Sequence, residues 1–233
     1  SMVSSIKQIG NYHTYEMEYY NIHDFINRPA DTCVILKESD EIFIGKKAIA
    51  SQTCCGAALR FITIPSNIEY IGQSAFSCCE DLVEFEAKEG LQIIGRYAFS
   101  DCYELKKILL PSSLTVLGKH AFKKCYQLQE IVIPPRVEIL PPVEESPFVC
   151  CPRLENIECN VCLRDRMIEY SAFLPSLKKI VLTDKEGNKV ATMRRVESKV
   201  ASDNLGSKKK FAEIYEAEMS VDRQSGDGEG ITI

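Results

Sequence analysis

Ile71-Gly72-Gln73-Ser74-Ala75-Phe76-Ser77-Cys78-Cys79-Glu80-Asp81-Leu82 returns 23 residues later as Ile94-Gly95-Arg96-Tyr97-Ala98-Phe99-Ser100-Asp101-Cys102-Tyr103-Glu104-Leu105. The same step leads on to Leu117-Gly118-Lys119-His120-Ala121-Phe122-Lys123-Lys124-Cys125-Tyr126-Gln127-Leu128. A fixed period of this length marks a stack of repeats, none of which can bury its apolar edge alone. After each Leu comes a short alternating run, Leu105-x-x-Ile108-x-Leu110-Pro111, matched by Leu59-x-x-Ile62-x-Ile64-Pro65 and Leu128-x-x-Ile131-x-Ile133-Pro134. Period-two alternation reads as a strand with one buried face, and the proline, which has no N–H, ends the ladder. Each repeat therefore contributes one strand, and strands of successive repeats are expected to lie parallel about 4.8 Å apart. Gly72, Gly95 and Gly118 fall where the chain turns back and backbones approach closely.

The pattern L-x-x-I-x-I-P-x-x-(V/L)-x-x-I-G-x-x-A-F-x-x-C resembles the BspA type of leucine-rich repeat, found in surface and intracellular proteins. The likeness spans about residues 34–183, with about six strand units and a degenerate repeat before them. It implies an α/β-type repeat solenoid, a right-handed leucine-rich-repeat coil with a parallel β-sheet on the concave face and short turns or strands on the convex one. It also implies a non-enzymatic interaction module, some members of the family acting as adhesins. The pattern holds only packing positions, so the resemblance carries over no catalytic residue.

The outer repeats depart from the pattern. In the first, Ala48 is followed by Ile49 instead of Phe, and the longer run to Leu59 predicts a bulge of four residues. Pro141-Pro142-Val143-Glu144-Glu145-Ser146 adds three residues and reads as a stiff acidic protrusion. In the last unit, Ala172-Phe173 stands at the Ala-Phe position and the Gly and Cys are missing. The expected organisation is an N-terminal cap over 1–33, rich in aromatic residues, then the solenoid over 34–183. A capping hairpin and linker follow over 184–206, and 207–233 form a charged, largely flexible tail, in which Phe211–Met219 has the apolar spacing of a short docking helix.

Charge and composition narrow the function classes. With 28 Lys and Arg against 33 Asp and Glu, the net charge of −5 argues against a nucleic-acid partner, whose phosphates select basic surfaces. No run approaches the roughly 18 apolar residues of a membrane helix. Ser1 before Met2 looks like a cloning remnant, and residues 2–30 are too polar for a secretory signal. The expectation is a cytoplasmic, monomeric protein; a chain whose leader had been removed, and which belongs at the cell surface or outside it, would read the same way.

Eleven cysteines require a reason. Cys79, Cys102, Cys125 and Cys151 share one repeat position and should stack as a column of small buried groups, while Cys78 and Cys150, one residue earlier, should face elsewhere. An odd count, placed by repeat and not in pairs, fits reduced thiols. A sharper reading is zinc on Cys159-x-x-Cys162 with Cys150 or Cys151, although Cys159 falls on an inward strand position and no second Cys-x-x-Cys or His pair follows. No cofactor is expected. A catalytic thiol needs a base, and His13, His23 and His120 lie in the cap or beside a turn. Gly226-Asp227-Gly228-Glu229-Gly230 follows no strand and opens no helix, which disqualifies it as a phosphate cradle.

Recognition should instead use the outward side chains of the ladder. One column reads Phe61, Glu84, Lys107, Glu130, Asn156 and Lys179; the second includes Glu86, Leu109, Val132, Glu158 and Val181. Glu84, Lys107 and Glu130 alternate in sign and can neutralise one another along the ladder. Leu109 and Val132 make an apolar pair inside a charged rim, the anatomy of a protein interface.

Overall fold

The computed structural model describes residues 47–195, together with the backbone of four outlying strands. Near the N-terminus β1 (Val3–Ile9) pairs antiparallel with β2 (Tyr12–Met17), and β3 (Thr32–Val34) joins β2 in parallel. The remainder of the expected cap, and its aromatic side chains, lie outside the described residues.

From residue 47 the chain lays down two strands per repeat. The short β4 (Ala48–Ile49), β6 (Tyr70–Ile71), β8 (Ile93–Ile94) and β10 (Val116–Leu117) form one parallel sheet. Alternating with them in sequence, β5 (Phe61–Ile64), β7 (Glu84–Ala87) and β9 (Lys107–Leu109) form a second. Beyond β9 the ladder divides, and β11 (Glu130–Val132), β12 (Asn156–Asn160) and β13 (Lys179–Thr183) continue in parallel within a separate sheet. This is a leucine-rich-repeat type of fold with parallel strands in sheets.

Three sets of contacts hold each repeat to the next. At the return turn, Gly72, Gly95 and Gly118 N–H groups donate to the carbonyls of Ile49, Ile71 and Ile94, each at 2.8 Å. At the opposite turn, Phe76 and Phe99 N–H groups donate forward to Ala98 and Ala121, each at 2.8 Å, and Phe122 donates to Pro147 at 2.9 Å. Between these turns the phenylalanine rings line up: Phe76 stacks on Phe99 at 5.3 Å, Phe99 on Phe122 at 5.5 Å and Phe122 on Phe148 at 6.2 Å, with interplanar angles of 10°, 14° and 6°. Such pairs add roughly 0.5–1.5 kcal/mol each beyond the area they bury.

The cysteine column belongs to the same machinery. The thiols of Cys79, Cys102, Cys125 and Cys151 donate to the carbonyls of Cys54, Phe76, Phe99 and Phe122 in the preceding repeat, at 3.1–3.3 Å. Burial pushes all four thiols upward, Cys151 to about 12, so they stay protonated and able to donate. Alanine would leave a small void and deprive the carbonyl of this donor; serine would donate but bury a more polar group.

Cys79 donating to Cys54 also corrects the reading of the first repeat. Ala48–Ile49 pairs with Tyr70–Ile71, which makes Ile49-Ala50 the counterpart of Ile71-Gly72 and puts Cys54 at the phenylalanine position. No four-residue bulge exists there; Ile49 to Ile71 is 22 residues, one fewer than the usual step. The stretch after Pro141 is likewise no free protrusion. Val143–Glu145 forms a 3-10 turn, Glu145 accepts the His120 N–H at 3.3 Å, and Lys119 Nζ reaches the Glu145 carboxylate at 2.6 Å. The three added residues are absorbed before the ladder resumes at Pro147.

At the far end, helix α1 (Arg164–Ser171) follows a 3-10 turn over Val161–Leu163. Phe173 is not the core aromatic: it is 71% exposed, and Tyr170 instead meets Phe148 edge-on at 6.4 Å. The expected hairpin is present, β14 (Lys189–Arg195) running antiparallel to β13 through a turn in which Asp184 accepts from the Glu186 and Asn188 N–H groups. Tyr215–Met219 is a strand, β15, paired antiparallel with β14, and not a helix. Alternation of Glu216 and Glu218 with Tyr215, Ala217 and Met219 suits a strand, and the open edge of β14 supplies the main-chain partners that an isolated helical turn would lack. The rest of 207–233 lies outside the described residues.

Gly95 tests how tightly the repeats are seated. A Cβ there would stand 2.7 Å from the Ile71 carbonyl oxygen and 2.8 Å from the Gly72 carbonyl carbon, main-chain atoms that cannot step aside. Gly95→Ala is expected to destabilise the fold by about 1–3 kcal/mol, read as a lower urea midpoint, although alanine ordinarily favours ordered backbone over glycine.

Candidate functional site

Strand alternation fixes which side chains the ladder offers. In β9 and β11 the central residue is buried and its two neighbours are exposed, because successive side chains point to opposite faces. The pairing register aligns the expected columns. Phe61, Glu84 and Lys107 are partners across β5, β7 and β9, and Glu130, Asn156 and Lys179 across β11, β12 and β13. In the second column Glu86 pairs with Leu109, while Val132, Glu158 and Val181 follow one another.

The division after β9 splits both columns, and the apolar pair straddles it. Leu109, on the last strand of one sheet, is 41% exposed; Val132, on the first strand of the next, is 53% exposed. Lys107 Nζ meets the Glu84 carboxylate at 2.7 Å, so the ion pair expected in the first column forms on one side of the division. Phe61, Glu84, Glu86, Asn156, Glu158, Lys179 and Val181 are half-buried, whereas Lys107, Leu109, Glu130 and Val132 are exposed.

A second apolar row escaped the sequence reading. The outer positions of the short-strand sheet carry Tyr70, Ile93 and Val116, and Ile139 follows at the same step; Ile139 is 83% exposed. The signal was the residue before each Ile-Gly, Leu-Gly or Leu-Pro pair, apolar in all four cases. On another side of the molecule a cleft of about 590 Å3 opens between the Val143–Glu145 turn and α1, lined chiefly by Val143, Phe148, Val149, Tyr170, Phe173 and Leu174. The Tyr170 hydroxyl is spent on the Pro141 carbonyl at 2.5 Å, leaving the cleft almost wholly apolar. No ladder position lines it.

The thiols of the alternative zinc reading have separate environments. Cys159 is enclosed in the core, its thiol pushed by burial to about 12, whereas Cys162 is exposed and donates to the Glu138 carbonyl at 3.6 Å. Cys151 is committed to Phe122. Among the described residues no group of three or more His, Cys, Asp or Glu side chains is placed to hold a metal ion. His120 stacks on Tyr97 at 4.9 Å, and burial together with the nearby Lys123 lowers its affinity for a proton. Among the described residues no helix is long and apolar enough to cross a membrane.

The outward positions of the ladder thus present their side chains toward solvent in two aligned columns. The family model for the BspA-type leucine-rich repeat region matches residues 47–178, in six copies. The chain belongs to that family. Its repeats share their strand-turn pattern with proteins that commonly serve in protein interaction or at cell surfaces. Among solved structures, a leucine-rich repeat protein of T. pallidum is 23% identical over 66% of this chain and 67% of its own, with a TM-score of 0.48. One from Bacteroides ovatus is 27% identical over 46% of this chain and 26% of its own, TM-score 0.39. A leucine-rich cell surface protein from Faecalibacterium prausnitzii is 19% identical over 64% of this chain and 52% of its own, TM-score 0.33. No curated protein matches the sequence.

The Glu84–Lys107 pair separates two uses of the ladder. Its side chains are 31% and 55% exposed, so water screens the attraction. Lys107→Ala is expected to change stability by less than about 1 kcal/mol, measured by urea unfolding, leaving any larger effect on partner capture attributable to recognition.

Proposed function

We propose that this BspA-type repeat protein is a non-enzymatic protein-protein interaction module, a scaffold or adaptor. In this reading the repeats wind as a right-handed solenoid, the β5-to-β13 ladder forms its concave face, and that face holds a protein partner. The supporting observation is the exposed pair Leu109 and Val132, set among Glu86, Lys107, Glu130 and Glu158 where the ladder divides. Burial of an apolar centre inside a charged rim supplies affinity, and the rim supplies orientation. Phe61, Asn156, Lys179 and Val181 extend the same surface to both ends.

The variant carrying Leu109→Asp and Val132→Asp tests this reading. Both positions point outward, so the fold should survive, checked by circular dichroism. Binding of the partner, captured from the native organism and quantified by mass spectrometry, should fall by about 30-fold or more, the effect of losing roughly 2 kcal/mol at the centre of an interface. Equal capture by the intact double variant would remove the patch from consideration.

The proposed compartment is the cytoplasm, with the chain acting as a monomer. Four buried thiols serve as donors to carbonyls, a role that requires them reduced. Protein taken from its native cell, denatured without reductant and alkylated at once, is expected to show all eleven cysteines reactive. A consistent shortfall of more than two would favour export and the rival role of a surface adhesin binding host or matrix protein.

A further inference from the structure

Among the described residues the cysteines fall into two sets, and only one of them is explained by packing. Cys54, Cys79, Cys102, Cys125, Cys151 and Cys159 are buried, whereas Cys55, Cys78, Cys150 and Cys162 are exposed. Cys162 is turned to the Glu138 carbonyl, and Cys150 lies three repeats beyond Cys78. Cys55 and Cys78 are different, because the ladder brings them together.

Cys55 is flanked by two hydrogen bonds that tie the first repeat to the second: Cys54 N–H to the Ala75 carbonyl at 2.7 Å, and Gly56 N–H to the Ser77 carbonyl at 2.8 Å. The Ser77 carbonyl carbon is bonded directly to the nitrogen of Cys78, which places Cys55 and Cys78 on neighbouring rungs. Cys55 stands opposite Ser77, about 4.8 Å away across the rungs, and Cys78 is the next residue along, so the two cysteines are diagonal neighbours whose thiols meet beside the Ser77 hydroxyl. Cys78 has φ 58°, a left-handed corner that turns its side chain outward, and its sulfur lies 3.6 Å from Ser77 Oγ. The Cys55 thiol contacts the same hydroxyl and the Cys78 thiol, and burial followed by the neighbouring Cys78 sulfur raises its pKa. At the next two corners of this column stand Asp101 and Lys124, which pair with each other at 2.9 Å.

We propose that Cys55 and Cys78 form a surface dithiol that closes to an intramolecular disulfide on meeting a low-molecular-weight disulfide oxidant such as glutathione disulfide. One thiol, as its thiolate, attacks a sulfur of the oxidant and expels one glutathione thiolate. The second, once deprotonated, attacks the protein sulfur of the mixed disulfide and expels the other. Two protein S–H bonds are lost and one S–S bond forms; the oxidant takes both electrons and, with the two protons, leaves as two glutathione molecules. The buried thiols take no part, being enclosed and held protonated. The new bond staples the first repeat of the described stretch to the second.

The full-length reduced chain, incubated with glutathione disulfide, alkylated and mapped by mass spectrometry, provides the test. The expected product has lost two hydrogens, carries two fewer alkylatable thiols, and links the peptide of Cys54 and Cys55 to that of Cys78 and Cys79. Cys55→Ser and Cys78→Ser should each abolish the link, and Cys150→Ser should leave it. The oxidised chain should melt roughly 5 °C higher than the reduced one, as closure of a loop of this length restrains the unfolded state. Separate glutathione adducts on Cys55 and Cys78, two unreacted thiols, or a link that survives Cys55→Ser would overturn the assignment.

Discussion

Registry between neighbouring repeats is the constraint on which this structure depends. An N–H at each turn must find a carbonyl in the adjacent repeat, while in the same step a phenylalanine meets a phenylalanine and a thiol meets a carbonyl. These three contacts sit at different radii of the repeat, so a change in its length is tolerated only where none of them is crossed. The three residues inserted after Leu140 obey this rule. They lie between the return turn and the phenylalanine turn, and the forward hydrogen bonds resume with His120 to Glu145 and Phe122 to Pro147. The step from Ile131 to Ile157 becomes 26 residues while the strands stay in register.

Because the inward positions are consumed by registry, the outward positions are free of it. Strand alternation leaves one side chain in two without a packing duty, and its identity answers to solvent or to a partner. The Glu84–Lys107 pair shows the solvent answer, a charge ladder that neutralises itself. Leu109 and Val132 do not fit that description, since an apolar residue on an outward rung gains nothing from water. They lie on β9 and β11, the strands on either side of the ladder division.

Legibility from the sequence followed the strength of the repeat. Where Ile-Gly, Ala-Phe and Cys recur intact, the register, the buried residues and the outward columns were all readable, because each landmark carries a separate physical signal. The ends were misread for one reason. Ala48 resembled the Ala of an Ala-Phe pair and Phe173 resembled its Phe, yet identity of letters was weaker than hydrogen-bond position. Ile49-Ala50 replaces Ile-Gly, Cys54 replaces Phe, and Tyr170 on a helix replaces the last Phe. In Phe211–Met219, helix-like spacing competed with strand alternation over a few residues, and the vacant edge of β14 decided the outcome. The apolar row Tyr70, Ile93, Val116 and Ile139 was visible in the letters but unreadable in role, since two-residue strands give too short a pattern to show which face is outside.

Adjacent cysteines in one repeat illustrate how finely position sets chemistry. Cys78 and Cys79 are consecutive, yet the left-handed backbone at Cys78 sends its thiol out while Cys79 turns in to bond the Cys54 carbonyl. The inner thiol is desolvated, protonated and spent; the outer one keeps water, reactivity and a neighbour. A left-handed residue costs about 1–2 kcal/mol unless it is glycine, and Gly56 stands at the equivalent corner of the first repeat. That later corners carry Cys78, Asp101, Lys124 and Cys150 means the strain is accepted for what the side chain does. For Asp101 and Lys124 the return is an ion pair between repeats. At Cys78 the diagonal neighbour in the preceding repeat, Cys55, is a second thiol, and a covalent bond between repeats is the corresponding return.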